Sequence, residues 1–134
     1  MKIIHSLTDT QTKKLNQLYQ NEWWCKGRTL EDTERVVAGS SMVFCAVDGD
    51  NLVGFARILT DYVFKALIFD VIVDPECRSN GIGSIILRAI KDHEKLKSVR
   101  HFELYCRTDM ISYYERHGFT ADIGDIQLMR YELR

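Results

Sequence analysis

The sequence predicts an α/β (α+β) protein built on a mixed β-sheet with helices on both of its faces. Two strand-like runs, residues 42–47 and 52–59, are joined by Asp-Gly-Asp-Asn at 48–51, which is a strong hairpin signal. A continuously apolar run at 66–73 leads through a glycine turn into a helix pattern at 82–96 and then into a further strand. Because that β-α-β order needs a crossover, a parallel pair should lie beside the antiparallel ones.

The remaining elements follow from the spacing of apolar residues along the chain. Leu15, Leu18 and Tyr19 repeat at helical spacing, Thr29 is placed as the N-cap of a second helix, and Pro75 stops the apolar strand. In chain order we predict a strand at 2–5, a helix around 15–19, a short helix from 29 to 39, the hairpin, the central strand at 66–73, the helix from 82, a strand at 101–106, a helix at 109–116, and closing strands at 119–121 and 126–133.

Length and composition fit a single globular domain over residues 1–134. The chain is 46% hydrophobic and 28% charged, as in ordinary globular proteins, and no apolar run approaches the ~20 residues of a membrane span. The net charge of −1, with no basic block, argues against nucleic acid as the main partner. The first residues lack the shape of a signal peptide, so a cytoplasmic location is the default expectation.

The four cysteines and four histidines form no metal-binding pattern. The cysteines lie at positions 25, 45, 77 and 106 without C-x-x-C spacing, and the histidines are scattered. Cys45 and Cys106 fall in strand patterns, which predicts buried thiols. The sequence therefore predicts no metal site.

The most informative segment is Arg-Ser-Asn-Gly-Ile-Gly at 78–83, between the apolar strand and the helix pattern. The first turn of a helix has N–H groups without intrahelical partners, and glycines let a phosphate approach them closely. A dinucleotide fingerprint would need a third glycine where this chain has Ile86, and a P-loop would end in Gly-Lys-Ser or Gly-Lys-Thr. The segment therefore predicts a different phosphate-bearing ligand, or else a tight turn that binds nothing.

Residues 71–83, Val-Ile-Val-Asp-Pro-Glu-Cys-Arg-Ser-Asn-Gly-Ile-Gly, resemble the acetyl-CoA signature of the GNAT N-acetyltransferase superfamily. Residues 113–119, Tyr-Tyr-Glu-Arg-His-Gly-Phe, resemble the family's downstream element, and residues 52–57 are similar to its third strand. Within the superfamily, the run at 54–73 looks most like the small bacterial enzymes and the plant serotonin N-acetyltransferase-like group. The resemblance implies the GNAT fold, with a mostly antiparallel sheet of six to seven strands and about four helices.

The same resemblance implies that acetyl-CoA donates an acetyl group to a primary amine of a small molecule or peptide, by direct attack in a ternary complex and without a metal. Main-chain N–H groups of 79–84 would hold the pyrophosphate, and an N–H at or near Val71 or Ile72 would face the oxyanion. Arg107 stands where many relatives have an asparagine that contacts the pantetheine arm. The implied coenzyme-binding residues are Ile72, Val73, Arg78, Ser79, Asn80, Gly81, Ile82, Gly83, Ser84 and Arg107.

Tyr114 lies four residues before Gly118, the place of the family tyrosine thought to protonate the departing thiolate. A phenol pKa near 10 and an alkyl thiol pKa near 8.5 make that proton transfer feasible. An aromatic residue on a helix face can instead belong to the core. Tyr113, the residue before it, is predicted to fill an apolar position.

The base is less well specified by the sequence. An alkylamine with a pKa near 10.4 is neutral in only about one part in 2,500 at pH 7, a deficit of ~4.6 kcal/mol, so a proton acceptor or water relay is expected. Asp70, a carboxylate in an otherwise apolar strand, is the first choice, and Glu103 is the second. Asp70 could instead only accept a main-chain hydrogen bond, and an arylamine would need no base.

The acceptor amine itself is not encoded in any motif. Trp23, Trp24, Tyr62 and Phe64 lie in segments that could flank the cleft, which suggests an amine with an apolar or aromatic body, although both tryptophans could equally be core residues. Two other functions stay open: an acyl-CoA-binding regulatory module with little catalysis, and a structural domain without coenzyme affinity. Exposed strands would also allow a homodimer, which the sequence does not establish.

Overall fold

The computed structural model describes residues 1–133 and contains a five-stranded mixed sheet in the order β1-β2-β3-β4-β5. The first four strands pair antiparallel, and β4 and β5 pair parallel through the predicted crossover. The strands are β1 (Lys2–Ile4), β2 (Met42–Asp48), β3 (Asn51–Thr60), β4 (Lys65–Val73) and β5 (His101–Leu104). The mixed sheet predicted from the sequence is therefore confirmed.

The first two helices begin where the sequence places good caps. Thr8 and Thr29 each head a capping box, in which the threonine side chain accepts a hydrogen bond from the third helical N–H, and the side chain of that third residue accepts one from the threonine N–H. Losing such a cap typically costs about 1 kcal/mol. The helices are α1 (Asp9–Tyr19), α2 (Leu30–Ala38), α3 (Ile82–Asp92) and α4 (Ile111–Glu115), with short 3-10 turns at Pro75–Cys77, Glu94–Leu96 and Thr108–Met110.

Both faces of the sheet are covered, as the sequence predicts. Alternating side chains of β2 show this division, because Val43 and Cys45 pack toward α1 while Phe44 and Ala46 pack toward α3. Gly54 on β3 allows α3 to approach closely, since a Cβ there would lie 2.7 Å from Cγ2 of Ile82. The N-terminus of α3 is thus held firmly against the sheet.

β4 carries a β-bulge at Asp70. The pairing of β3 with β4 passes from Phe55 opposite Ile72 to Arg57 opposite Phe69, so residues 70 and 71 together face one residue of β3. Asp70 has φ +55°, in the left-handed region that asparagine and aspartate tolerate best. Pairing of β4 with β5 ends at Ile68, just before the bulge. The two parallel strands then separate and leave a cleft at this end of the sheet.

The predicted closing strands are wrong. Residues 119–121 and 126–133 form no strand in the described structure, and the sheet has five strands instead of six to seven. A strand exists only where it has a partner, and among residues 1–133 no edge of the sheet pairs with either stretch. The prediction of a buried thiol at Cys106 is also wrong, because β5 ends at Leu104 and Cys106 lies exposed beyond it; Cys45 is buried as predicted.

Candidate active site

A cleft of about 1040 Å³ opens where β4 and β5 separate. The residues around it come from distant parts of the chain: the turn at 22–24, the bulged half of β4, the start of α3, the end of β5 and α4. Its volume is at the upper end for sites that hold sizeable small molecules. The cleft is therefore the candidate active site.

One end of the cleft is a cradle of main-chain N–H groups at the start of α3. Ser79 and Gly81 have φ of +83° and +73°, and this turn brings the chain into the helix. The first helical hydrogen bond runs from the N–H of Ile85 to the carbonyl of Gly81 at 3.0 Å. The N–H groups of residues 82–84 precede that bond, so they have no acceptor within the helix and are available to an anion.

Most of the predicted coenzyme-binding residues line this cleft. They are Val73, Arg78, Ser79, Gly81, Ile82, Gly83, Ser84 and Arg107. Ile72 and Asn80 do not line it with their side chains: Ile72 is buried in the cluster against α1, and Asn80 is exposed on the turn. For Ile72 only the predicted main-chain contact remains relevant.

The turn at residues 20–27 is tied across the mouth of the cleft by two contacts. Arg78 donates a hydrogen bond to Glu22 at 3.0 Å, and the guanidinium of Arg107 stacks 5.2 Å from the ring centre of Trp23. Arg78 also donates to the carbonyl of Val73 at 3.4 Å. The cation proposed for the coenzyme phosphates is therefore already paired with a carboxylate, a feature that no local motif reveals.

Two adjacent tyrosines on α4 reach different parts of the cleft. Tyr114 packs edge to face on Phe119, and burial, with Tyr113 and Cys106 nearby, raises its pKa to about 12. The hydroxyl of Tyr113 lies against Gly83, where an added Cβ would be only 2.5 Å from the oxygen. The prediction that Tyr113 merely fills an apolar position is thus incomplete, since its hydroxyl borders the cradle.

Asp70 is the centre of a polar cluster on the bulge. Its Oδ2 accepts hydrogen bonds from Tyr19 at 2.9 Å, Arg28 at 3.0 Å and Arg57 at 2.7 Å. Burial and the neighbouring carboxylate raise the pKa of Tyr19, so its phenol stays a donor. No hydrogen bond to Oδ1 is found among residues 1–133, and Asp70 lines the cleft. Asp70 therefore makes side-chain contacts instead of the main-chain hydrogen bond considered as its alternative.

Of the other residues predicted near the acceptor amine, some line the cleft and others do not. Trp23 and Trp24 line the cleft with exposed side chains and are not core residues. Glu103 is ion-paired with Lys65 at 2.9 Å on the surface and is absent from the cleft wall. Tyr62 and Phe64 lie in the β3–β4 connection, and neither lines the cleft in the described chain, so that part of the acceptor prediction is wrong.

Residues 1–133 contain neither a metal-binding cluster nor a membrane-spanning helix. No group of three or more histidine, cysteine, aspartate or glutamate side chains is arranged to hold a metal ion there. None of the helices in that range is both long and apolar enough to cross a lipid bilayer.

Comparisons with known proteins converge on one family. The Acetyltransferase (GNAT) family profile matches residues 5–119. Uncharacterized N-acetyltransferase ycf52 from Porphyra purpurea is 30% identical over 125 residues, which span 87% of this chain and 68% of that protein. Serotonin N-acetyltransferase 2, chloroplastic, from Oryza sativa subsp. japonica is 32% identical over 79 residues, which span 59% of this chain and 40% of that protein.

Solved structures agree with the sequence comparisons. A GNAT family protein from Xanthomonas campestris pv. campestris superposes with a TM-score of 0.83 at 27% identity, covering 99% of this chain and 94% of the other. An aminoglycoside 6'-N-acetyltransferase complexed with coenzyme A has a TM-score of 0.64 at 19% identity, covering 74% of this chain and 58% of the other. The second likeness concerns the fold alone.

Proposed function

This chain belongs to the GNAT family of acetyltransferases, and from that premise we propose that it moves the acetyl group of acetyl-CoA to a primary amine of a small molecule or peptide. The observation that carries the proposal is the shared cleft, with an anion cradle at one end and Asp70, Trp23 and Trp24 also on its wall. Two ligands held in one cleft permit direct attack in a ternary complex.

The residues present fit a coenzyme with a diphosphate. The N–H groups of residues 82–84 have no acceptor within the helix and lie at the cleft, and the cationic side chain of Arg78 lies on the cleft wall as well. Past Ile68, main-chain groups of β4 have lost the pairing with β5. The N–H of Val73 would then serve an amide-bearing arm, while its carbonyl already accepts a hydrogen bond from Arg78. Acetyl-CoA would supply the activated acetyl group as a thioester.

The bulge offers a donor for the negative charge that develops on the carbonyl oxygen. The N–H at or near Val71 or Ile72 lies on the strand that leaves the β4–β5 ladder. A fixed main-chain donor of this kind typically lowers the activation free energy by about 3 kcal/mol. Because the bulge is held by the hydrogen bonds to Asp70, this donor is preorganised.

Tyr114 is our proposed donor to the departing sulfur. With a pKa of about 12 it is protonated at neutral pH. Complete proton transfer to a thiolate of pKa near 8.5 would be uphill by roughly 5 kcal/mol. A thiolate buried in the same cleft would have its own pKa raised, which narrows the gap. Tyr114 therefore acts first as a hydrogen-bond donor and transfers its proton as the sulfur gains charge.

Asp70 is our proposed acceptor for the amine proton, acting through Oδ1. Its Oδ2 is occupied by three donors, and the two arginines fix the carboxylate toward the cleft. In this role Asp70 orients the ammonium group and takes its proton directly or through a water molecule. The exposed tryptophans on the same wall favour an amine with an apolar or aromatic body.

The test is acetyl-CoA-dependent release of free thiol across polyamines, arylalkylamines, amino sugars and N-terminal peptides. We expect at least one class to release thiol, and Tyr114→Phe to lower kcat about 100-fold with coenzyme affinity near normal. Tyr62→Phe, an exposed tyrosine outside the cleft, is the matched control and should be silent. Unchanged kcat in Tyr114→Phe removes it from the donor role, and coenzyme binding without thiol release would favour a regulatory acyl-CoA-binding module.

A further inference from the structure

His117 joins the end of α4 to the start of α3. Its Nε2 lies 3.3 Å from the hydroxyl oxygen of Ser84, which is the third residue of α3. Within residues 1–133 this is the hydrogen bond that the Ser84 hydroxyl makes. Ser84 lines the cleft and His117 does not. The serine therefore lies between the imidazole and any phosphate that the cradle holds.

Further contacts hold the imidazole beside Ser84. Its ring packs on that of Tyr113 with the ring centres 5.0 Å apart, and the hydroxyl of Tyr113 lies against Gly83 in the cradle. Lys91 on α3 donates a hydrogen bond to the carbonyl of His117 at 2.7 Å. Because these contacts join α3 to the end of α4, the imidazole can leave Ser84 only by breaking them.

The surroundings of the imidazole are cationic. Burial lowers the pKa of His117, and the charges of Lys91, Arg116 and Arg88 lower it further. Lys91 and Arg88 lie on α3, and Arg116 precedes His117 in the chain and lies over the ring of Tyr113. The phenol of Tyr113 also faces the imidazole. With its pKa below the ordinary value, the ring is neutral at pH 7 in the free protein.

The direction of the hydrogen bond decides what Ser84 can offer a ligand. A serine hydroxyl has a single proton. If that proton goes to the imidazole, a phosphate meets only an acceptor oxygen; if Nε2–H donates instead, the hydroxyl proton is free for the phosphate, and the two hydrogen bonds act in series. A phosphate oxygen bound at ~2.7 Å by the hydroxyl lies no more than about 6 Å from Nε2. At that distance salt screens the charge only partly, so the anion favours a protonated imidazole.

We propose that His117 is a positioning residue for the coenzyme: its Nε2–H donates to Ser84 and turns the hydroxyl proton toward the diphosphate, and the ring takes up a proton from solvent as the diphosphate binds. The inference rests on the proposed function, since it concerns the same coenzyme site. Coupling of this kind is reciprocal. Coenzyme binding should therefore tighten as pH falls through the pKa that His117 has in the complex, and level off below the pKa that it has in the free protein.

Calorimetry in buffers of different ionisation enthalpy measures the proton uptake. The probe is dephospho-coenzyme A, which keeps the diphosphate and lacks the 3′-phosphate that would itself titrate. At pH 6.5, the ordinary pKa of histidine, we expect the native protein to take up roughly half a proton. His101→Gln, an exposed histidine beside Lys65 on β5 and outside the cleft, is the matched control and should behave as the native protein does.

Two substitutions of His117 separate the hydrogen bond from the charge. His117→Gln keeps a neutral donor near the position of Nε2, so its affinity should stay within about twofold of native while proton uptake falls below about 0.1. His117→Leu keeps the packing on Tyr113 but has no donor, and it should bind the probe roughly five- to tenfold more weakly. Far-ultraviolet circular dichroism verifies that each variant is folded.

The possible results distinguish this inference from the proposed function. Native protein that binds the probe without proton uptake, or a His117→Gln variant with native uptake, would overturn the role of His117 and leave the coenzyme site standing. A native protein that binds neither the probe nor coenzyme A would refute the coenzyme site, and this inference with it. Nuclear magnetic resonance gives an independent measurement, because the titration midpoint of the His117 ring should rise when the probe is added, and an unchanged midpoint contradicts the proposal.

Discussion

Replacing Asp70 with asparagine tests two roles of this carboxylate: stabilising the fold through its ion pairs, and accepting the proton of the amine. The change keeps the shape of the side chain and removes its charge, and asparagine tolerates the φ of +55° as well as aspartate does. Backbone strain is therefore matched between the two proteins. The substitution removes the negative charge that pairs with Arg28 and Arg57, and with it the capacity to take a proton from an amine.

The expected loss of stability follows from how well the cluster is buried. The side chain of Asp70 is 6% exposed, while those of Arg28 and Arg57 are 21% and 15% exposed. Breaking a fully buried pair typically costs 3–5 kcal/mol, but these guanidinium groups retain some water and the asparagine oxygen remains an acceptor. We therefore expect the free energy of unfolding to fall by about 2–3 kcal/mol.

Urea unfolding followed by tryptophan fluorescence measures that loss, and thiol release at saturating ligands measures kcat. If Asp70 takes the amine proton, kcat falls about 100-fold at a temperature where the variant is folded. Arg57→Gln in both backgrounds is the control, because the second substitution should cost less once the carboxylate is gone. A change in unfolding free energy below about 0.5 kcal/mol would refute the energetic reasoning, and an unchanged kcat would refute the base assignment.

Three further predictions concern the cradle and its surroundings. Gly83→Ala should weaken coenzyme affinity about tenfold by calorimetry, because its Cβ would meet the Tyr113 oxygen at 2.5 Å, and adding Tyr113→Phe should restore part of the loss. Glu22→Gln should tighten coenzyme binding roughly threefold by freeing Arg78, and an unchanged affinity would contradict that competition. The pKa of Asp74 is lowered by a hydrogen bond from its lysine partner on α1. The ionised Asp74 therefore stabilises the fold fully above the ordinary carboxyl pKa, and this stabilisation is lost as pH falls through the lowered pKa of Asp74. Asp74→Asn should reduce the free energy of unfolding by about 1–2 kcal/mol at neutral pH and leave it unchanged in strong acid.

The parts of the site that could be predicted are those written in short stretches of sequence. The cradle needs a strand, a glycine turn and a helix start in direct succession, and residues 73–84 supply all three. Tyr114 is placed by the resemblance of residues 113–119 to the GNAT element, a stretch that spans one helix and its end. Local geometry of this kind depends on a few residues whose conformational preferences are strong.

The parts that could not be predicted depend on contacts between distant residues. Glu22 meets Arg78 across the cleft, and Arg28 meets Asp70 although 42 residues separate them in the chain. No periodicity encodes such a pair. The strand predicted at 126–133 is wrong for a related reason. Its sequence has a strand pattern, but a strand also needs a neighbouring edge, and the sheet described within residues 1–133 does not pair with it.

The bulge at Asp70 connects the stability of the fold with the opening of the cleft. A non-glycine residue in the left-handed region costs roughly 1–2 kcal/mol, so the bulge persists only if other contacts stabilise it. Three hydrogen bonds to Oδ2 do so, and they come from α1, the α1–α2 connection and β3. Since pairing of β4 with β5 stops one residue before Phe69, the same contacts hold the strands apart. A variant that regularised β4 would remove the strain, extend the parallel ladder and narrow the cleft, so a gain in stability there should be accompanied by a loss of ligand binding.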